Sequence, residues 1–466
     1  MYKSKLIRLF QSLDDAEARQ FKKWVYSPVH NKHKDVCKLY EYLFSKQEID
    51  PHYTERTKVF AFLYPKESFN MPRLRHIMSF ATDVLEAFIQ YKETSLSKES
   101  RDIHLLRSFR RRNLKKEAEK QQKYIRKELA KQPIQNEAFY WLNYKLEVEQ
   151  FIMLSDGDRP ENTNLQVVMN SASVVFVLSI LRYACNCISH QNLYKQSYQI
   201  PFIEAIVAAI QNNAFQDIIS IQIYYACYVS LMQPEQVESY QKLRRYLDEY
   251  PQILPANEYK QVYEIALNFC IKRLNKGNKI YTEEAFRLYM KGIDNKILLE
   301  KGILSHFAYK NIVAIGLYLN KTAAIKRFIK NGGELLHPDY RENYIHYNTA
   351  KYYFSNREYD MARGLLISMD YDDIFMTVDA KMMMLKMYVM QGEFDLMESF
   401  VKSFAQFLRR KSQLSYHRKG FLNTLRLTKK LIYAFTKKEK AQLLEEISDT
   451  KPLPEKKWLL EQLNAR

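Results

Sequence analysis

Two stretches decide how this chain folds. The first is Tyr353-Phe354-Ser355-Asn356-Arg357-Glu358-Tyr359-Asp360-Met361-Ala362, and the second is Tyr388-Val389-Met390-Gln391-Gly392-Glu393-Phe394-Asp395-Leu396-Met397. Tyr353 aligns with Tyr388, Glu358 with Glu393, Tyr359 with Phe394 and Asp360 with Asp395, each 35 residues on. In both, an apolar-periodic segment ends at a polar break and a second begins with an acidic residue, where a helix N-terminus favours negative charge. Each copy therefore reads as a helical hairpin. One hairpin cannot cover its own apolar face, so copies in series must stack.

Composition agrees. The chain has 466 residues and only 10 glycines, where an average chain of this length carries roughly thirty. Tight β-hairpins and phosphate-cradling loops draw on glycine, whereas helix–turn–helix units do not depend on it. The 35 tyrosines and 26 phenylalanines suit layered helix packing. The expectation is an all-α chain.

Helical periodicity recurs along the whole sequence. Residues 1–95 read as an N-terminal helical unit, with Asp14 and Asp15 placed to cap a helix over 16–25 and a further helix from about 72 to 91. Residues 96–155 read as one long basic helix, 98–131, with the stripe Leu106, Leu114, Ala118, Ile125 and Leu129, followed by another helix to about Leu154. The polar run from Ser155 to Asn162 is the linker candidate. Residues 156–466 form the repeat region, with breaks near Pro201, Pro234, Pro251 and Pro255.

The 35-residue period resembles the tetratricopeptide repeat. The resemblance covers about residues 215–445, with looser copies at Leu267–Cys270 with Glu283–Phe286 and at Lys310–Val313 with Thr322–Ala324. The small and aromatic positions of that family's first helix fall on Ala350 and Tyr353, and its small crossing position falls on Ala362; the second copy has Leu385 and Met397 instead. The resemblance implies a right-handed helical-hairpin solenoid with a groove lined by first helices. It implies groove residues at Asn348, Lys351 and Lys386, and by analogy Asn268 and Asn311, suited to holding a peptide backbone or a carboxylate. The whole chain also resembles a group of uncharacterised bacterial helical-repeat proteins, which implies no known activity.

Net charge is +19, and two segments account for all of it. Residues 101–131 carry +8 and include Arg107, Arg110, Arg111, Arg112, Lys115 and Lys116; residues 401–440 carry +11 and include Arg409, Arg410, Lys411, Arg418 and Lys419. Such clusters attract phosphate backbones or acidic protein surfaces.

Sequence motifs for catalysis are missing: no Walker loop, dinucleotide fingerprint, H-E-x-x-H or G-x-S-x-G occurs. His30 and His33 form a near pair, Asp370, Asp372 and Asp373 cluster near Tyr371, and five irregularly spaced cysteines include the lone pair Cys185 and Cys187. No cofactor or metal is expected. The longest apolar run, Val174 to Leu181, is short for a bilayer span, so the expectation is a cytoplasmic chain without one. The function expected is a non-enzymatic scaffold binding a protein or peptide partner, with acidic partners among the candidates. The alternative is a nucleic-acid- or ribosome-associated protein using the two basic segments, and a helical enzyme of unfamiliar type stands third.

Overall fold

The computed structural model describes residues 1–46, 49–96, 98–155, 162–194, 196–367, 373–411 and 414–465. Among the described residues the chain is almost wholly helical, with 23 α-helices and one two-stranded hairpin. It divides into two units, Met1–Tyr183 with Gln199–Gln222 and Ala184–Tyr198 with Ile223–Arg466.

The first unit starts with α1 (Lys5–Gln11), α2 (Asp15–Val25), α3 (Lys34–Phe44), α4 (Arg56–Leu63) and α5 (Met71–Leu96). Asp14 caps α2 as read, within a full capping box with Glu17. These five helices close around one core that includes Leu6, Phe21, Leu39, Tyr40, Phe60 and Leu85. Next come α6 (Lys98–Arg111), α7 (Lys115–Leu129) and α8 (Glu137–Leu154).

The long helix expected over 98–131 is therefore two helices. Asn113 turns left-handed, at φ 57°, and the Leu114 amide reaches back to the Phe109 carbonyl at 3.0 Å. The stripe folds onto itself: Leu106, Ala118, Ile125 and Leu129 share a core with Leu142 and Leu146, while Leu114 is exposed. Residues 156–161 of the expected linker lie outside the described residues.

Helices α9 (Leu165–Tyr194), α10 (Ile203–Gln211) and α11 (Ile219–Met232) follow in the chain. Within α9, Leu165–Asn192 is long and apolar enough, by length and composition, to cross a bilayer, and 33% of its most apolar window is buried in protein. Counting only the unbroken apolar run passed this over, because a span tolerates isolated polar residues.

The second unit continues with α12 (Val237–Glu249), α13 (Ala256–Asn275) and α14 (Ile280–Asp294), then a hairpin of β1 (Leu299–Glu300) and β2 (Ile303–Leu304). Leu299 pairs with Leu304 and Glu300 with Ile303, antiparallel. The rest is helical: α15 (His306–Tyr318), α16 (Thr322–Gly333), α17 (Pro338–Ser355), α18 (Tyr359–Ile367), α19 (Ile374–Gln391), α20 (Phe394–Arg410), α21 (Ser415–Tyr433), α22 (Lys437–Asp449) and α23 (Lys456–Asn464). Each helix from α13 to α23 packs on the next, and α15 on α17 and α17 on α19 as well.

One backbone device closes the hairpins of this unit. Gly277, Asn320, Arg357 and Gly392 each follow a helix in the left-handed conformation. In each case the next amide returns to a carbonyl five residues back, as Glu358 does to Tyr353 and Glu393 to Tyr388, both at 2.9 Å. This Schellman closure satisfies carbonyls that the helix end leaves open. Arg357 and Gly392 are the same position of the two quoted stretches. Asn320, like Asn113 in the first unit, shows how so few glycines suffice: asparagine tolerates this conformation better than other side chains.

The abundant tyrosines also find their reason. Tyr263 of α13 donates to the Leu288 carbonyl of α14 at 2.7 Å, and Tyr309 of α15 donates to the Ile329 carbonyl of α16 at 2.7 Å. A ring fills the seam between paired helices while its hydroxyl meets a backbone acceptor, so no polar atom is stranded. At the crossings, Ala350, Ala362, Leu385 and Met397 are all fully buried. Gly316 of α15 stands one hairpin earlier at the position of Ala350, and a Cβ there would overlap Ile325 of α16.

Candidate functional site

The polar face begins on α13. Glu264 and Asn268 stand four residues apart, so they project from the same side of that helix. Both are exposed, between the buried Val262, Tyr263, Ile265, Ala266, Leu267 and Phe269. They open into a cleft of about 640 Å³ walled by the β1–β2 hairpin and the start of α15. Asn311 of α15 lines the same cleft and donates its amide to the Tyr289 hydroxyl at 3.0 Å. Two of the expected groove residues, Asn268 and Asn311, thus meet in one cavity. Glu264 was not singled out from the sequence, because one glutamate on an amphipathic helix carries no signal of what faces it.

Glu264 has no ion pair or hydrogen bond among the described residues. Desolvation by the surrounding protein raises its carboxyl above the ordinary range; Lys260 opposes the shift and Glu300 adds to it. Lys260 itself reaches Glu300, at 3.4 Å. His306, at the same rim, is held below the ordinary histidine pKa, chiefly by burial.

Further along, Lys310 of α15 and Lys351 of α17 lie over the ring of the buried Tyr347, at 5.5 and 5.3 Å. The Tyr347 hydroxyl donates to Asp379 of α19 at 3.2 Å, and Lys310 approaches the same carboxylate at 4.0 Å. Lys351 has no carboxylate within 4.0 Å among the described residues. Desolvation holds its ammonium below the ordinary lysine pKa, despite the nearby Asp379 charge. The Tyr347 ring is the group this cation lies over.

The remaining groove candidates stand elsewhere. Asn348 is fully buried and donates to the Tyr344 carbonyl one turn back in its own helix, at 2.7 Å, so it faces no open groove. Alternating Tyr344, Tyr347 and Ala350 carry that side of α17 into the core. Lys386 is held by Glu455, at 2.7 Å, and lies 5.7 Å from the centre of the Trp458 ring; the start of α23 therefore covers it.

In the first basic segment, Arg107 and Arg110 bind the two oxygens of Glu149 at 2.6 and 2.8 Å. The Glu149 side chain is 1% exposed, and Arg126 pairs with Glu147 beside it at 2.7 Å. These arginines neutralise buried carboxylates of α8. Arg111, Arg112, Lys115 and Lys116 are exposed around the α6–α7 turn. In the second segment Arg409, Arg410, Lys411 and Lys419 are exposed, while Arg418 donates to the Lys411 carbonyl at 2.9 Å.

Compared with protein-family models, curated proteins and solved structures, the chain matches none. Its chemistry is read from the geometry alone. Among the described residues no group of three or more His, Cys, Asp and Glu could hold a metal ion. His30 stacks on Trp24 and His33 on Phe80, so the near pair is divided between two aromatic partners. Asp373 caps α19 through the Phe375 amide at 2.8 Å, and Asp370 and Asp372 lie outside the described residues. All five cysteines are free thiols, with Cys185, Cys227 and Cys270 buried.

Proposed function

We propose that this chain is a non-enzymatic scaffold. In this reading helices α13–α20 form a tetratricopeptide-like right-handed solenoid, and the face of α13, α15 and α17 binds an extended segment of another protein. The observation that carries the reading is Lys351. A partly desolvated ammonium with no carboxylate within 4.0 Å among the described residues costs stability, and an acidic group brought to it from outside would offset that cost. The open amide of Asn268 and the side-chain oxygen of Asn311 support the same reading, since side-chain amides can hold an extended backbone. The bound segment then presents an acidic side chain to Lys351. Asn348 and Lys386 drop out of the contact set, being buried and already paired.

The test is site-specific photocrosslinking from position 268 in cells, with position 287 on α14 as control. A single partner captured from 268, and lost with Lys351→Met and Asn311→Ala, supports the reading. Identical capture from both positions, or no effect of those substitutions, removes it.

A second reading rests on the exposed Arg111, Arg112, Lys115 and Lys116. These fit a phosphate backbone, and binding of that kind falls steeply as salt rises. Reversing Arg111, Lys115 and Lys116 abolishes RNA binding if it exists, and failure to bind RNA at low salt ends this version.

A further inference from the structure

We propose that the cleft between α13 and α15 is a seat for a guanidinium group, so that the bound segment carries an arginine whose side chain pairs with Glu264. This rests on the groove reading and adds a chemical identity and a polarity to what the groove binds. The arginine enters at the α13–α15 end, and the acidic residue faces Lys351 on α17.

The cleft gathers acceptors that the chain itself leaves unmet. Glu264 brings two carboxylate oxygens with no partner among the described residues. Asn268 brings a free side-chain amide, again with no partner. Asn311 spends its N–H on Tyr289 at 3.0 Å, which leaves its side-chain oxygen as an acceptor. A ligand that satisfies three such groups must be rich in donors. A guanidinium has five N–H donors and no acceptor, and its fork matches a carboxylate in a two-point bond. Tyr289, Phe307 and Tyr340 also line the cleft, and a flat, weakly hydrated cation packs on aromatic rings better than an ammonium.

The other charges at the cleft do not fill this role. Lys260 is committed to Glu300 at 3.4 Å. Lys301 sits in the tight turn of the hairpin at φ 51°, and His306 is biased toward its neutral form by burial. Partial desolvation of Glu264 by the cleft walls is in keeping with a cationic ligand, because a partner brought to the carboxylate offsets that cost. At about 640 Å³ the cleft is large enough for an arginine side chain and a length of its backbone.

The experiment uses the full chain and small capped probes in ligand-observed NMR titration: acetyl-arginine methylamide, its lysine counterpart and its citrulline counterpart. Citrulline keeps the shape and loses the charge. Arginine should bind measurably, with lysine weaker and citrulline silent. Glu264→Gln should weaken arginine binding by about tenfold or more while Lys351→Met leaves it unchanged. Circular dichroism confirms that the variant folds, as expected for an exposed position. The proposal is overturned if arginine does not bind, if citrulline or lysine binds as well as arginine, or if Glu264→Gln leaves binding intact. The groove reading fails independently, through crosslinking from position 268 and the Lys351→Met variant, so the two failures are told apart.

Discussion

The hairpin closures at Arg357 and Gly392 give a paired test, because one position in two equivalent turns carries opposite residues. At Gly392 φ is 74°, and a Cβ built there would meet nothing within 4 Å. Replacing it by alanine therefore meets no steric obstacle beyond the backbone itself. A side chain in the left-handed region costs about 1–2 kcal/mol, partly offset by about 0.5–1 kcal/mol for the lower entropy of the unfolded chain. The net expectation for Gly392→Ala is a loss of about 1 kcal/mol. At Arg357 φ is 65°, and the exposed side chain makes no ion pair among the described residues. Arg357→Gly gives up no packing and relieves the same conformation, for a gain of about 0.5–1 kcal/mol. Urea unfolding of the full chain, followed by circular dichroism, reads both. With a slope of about 3 kcal/mol per molar, the midpoints move by about 0.2–0.3 M in opposite directions. Shifts of the same sign, or none at Gly392, would refute the equivalence of the two turns.

Glu149→Leu strips two arginines of their shared buried carboxylate. Because Arg107 and Arg110 are only partly covered and can regain water, the cost is about 2–3 kcal/mol rather than the larger penalty of a fully buried pair, visible as a lower thermal midpoint. Lys351→Met raises stability at neutral pH. An ammonium held below its ordinary pKa binds its proton less readily when folded, so the cost is complete below the folded pKa. It fades as pH rises through the window between folded and unfolded values. Denaturation at neutral and alkaline pH should show the gain shrinking as pH rises. Gly316→Ala overlaps Ile325 and costs about 1–3 kcal/mol of overpacking, less about 1 kcal/mol of helix propensity; adding Ile325→Val should restore most of the loss in a thermal melt.

Much of the fold was legible because helices announce themselves locally. The Asp14 cap, the break after Tyr353 and its copy after Tyr388 depend on neighbours a few residues apart. The division of 98–131 into two helices was not legible. Its turning residue is an asparagine, and a left-handed asparagine leaves the apolar stripe undisturbed on paper. The residues read for a groove are placed differently from one another. Asn268 and Asn311 are brought together in one cleft, whereas Asn348 and Lys386 were read as open surface and are covered. Which side of α17 faces the core depends on the helices packed around it, and the covering of Lys386 depends on α23, more than sixty residues along the chain.

What the sequence settled by itself is the helical class and the turns of the two quoted stretches, since periodicity, caps and turn residues are short-range properties of the chain. The pairing of charges needed tertiary structure. The sequence shows a surplus of cations, yet only packing reveals that Arg107 and Arg110 are spent on Glu149 and Lys386 on Glu455, while Glu264 and Lys351 form no ion pair among the described residues. The reason is physical: an ionisable group's worth depends on the water it loses and on the charge brought beside it, and both are fixed by residues far away in the chain.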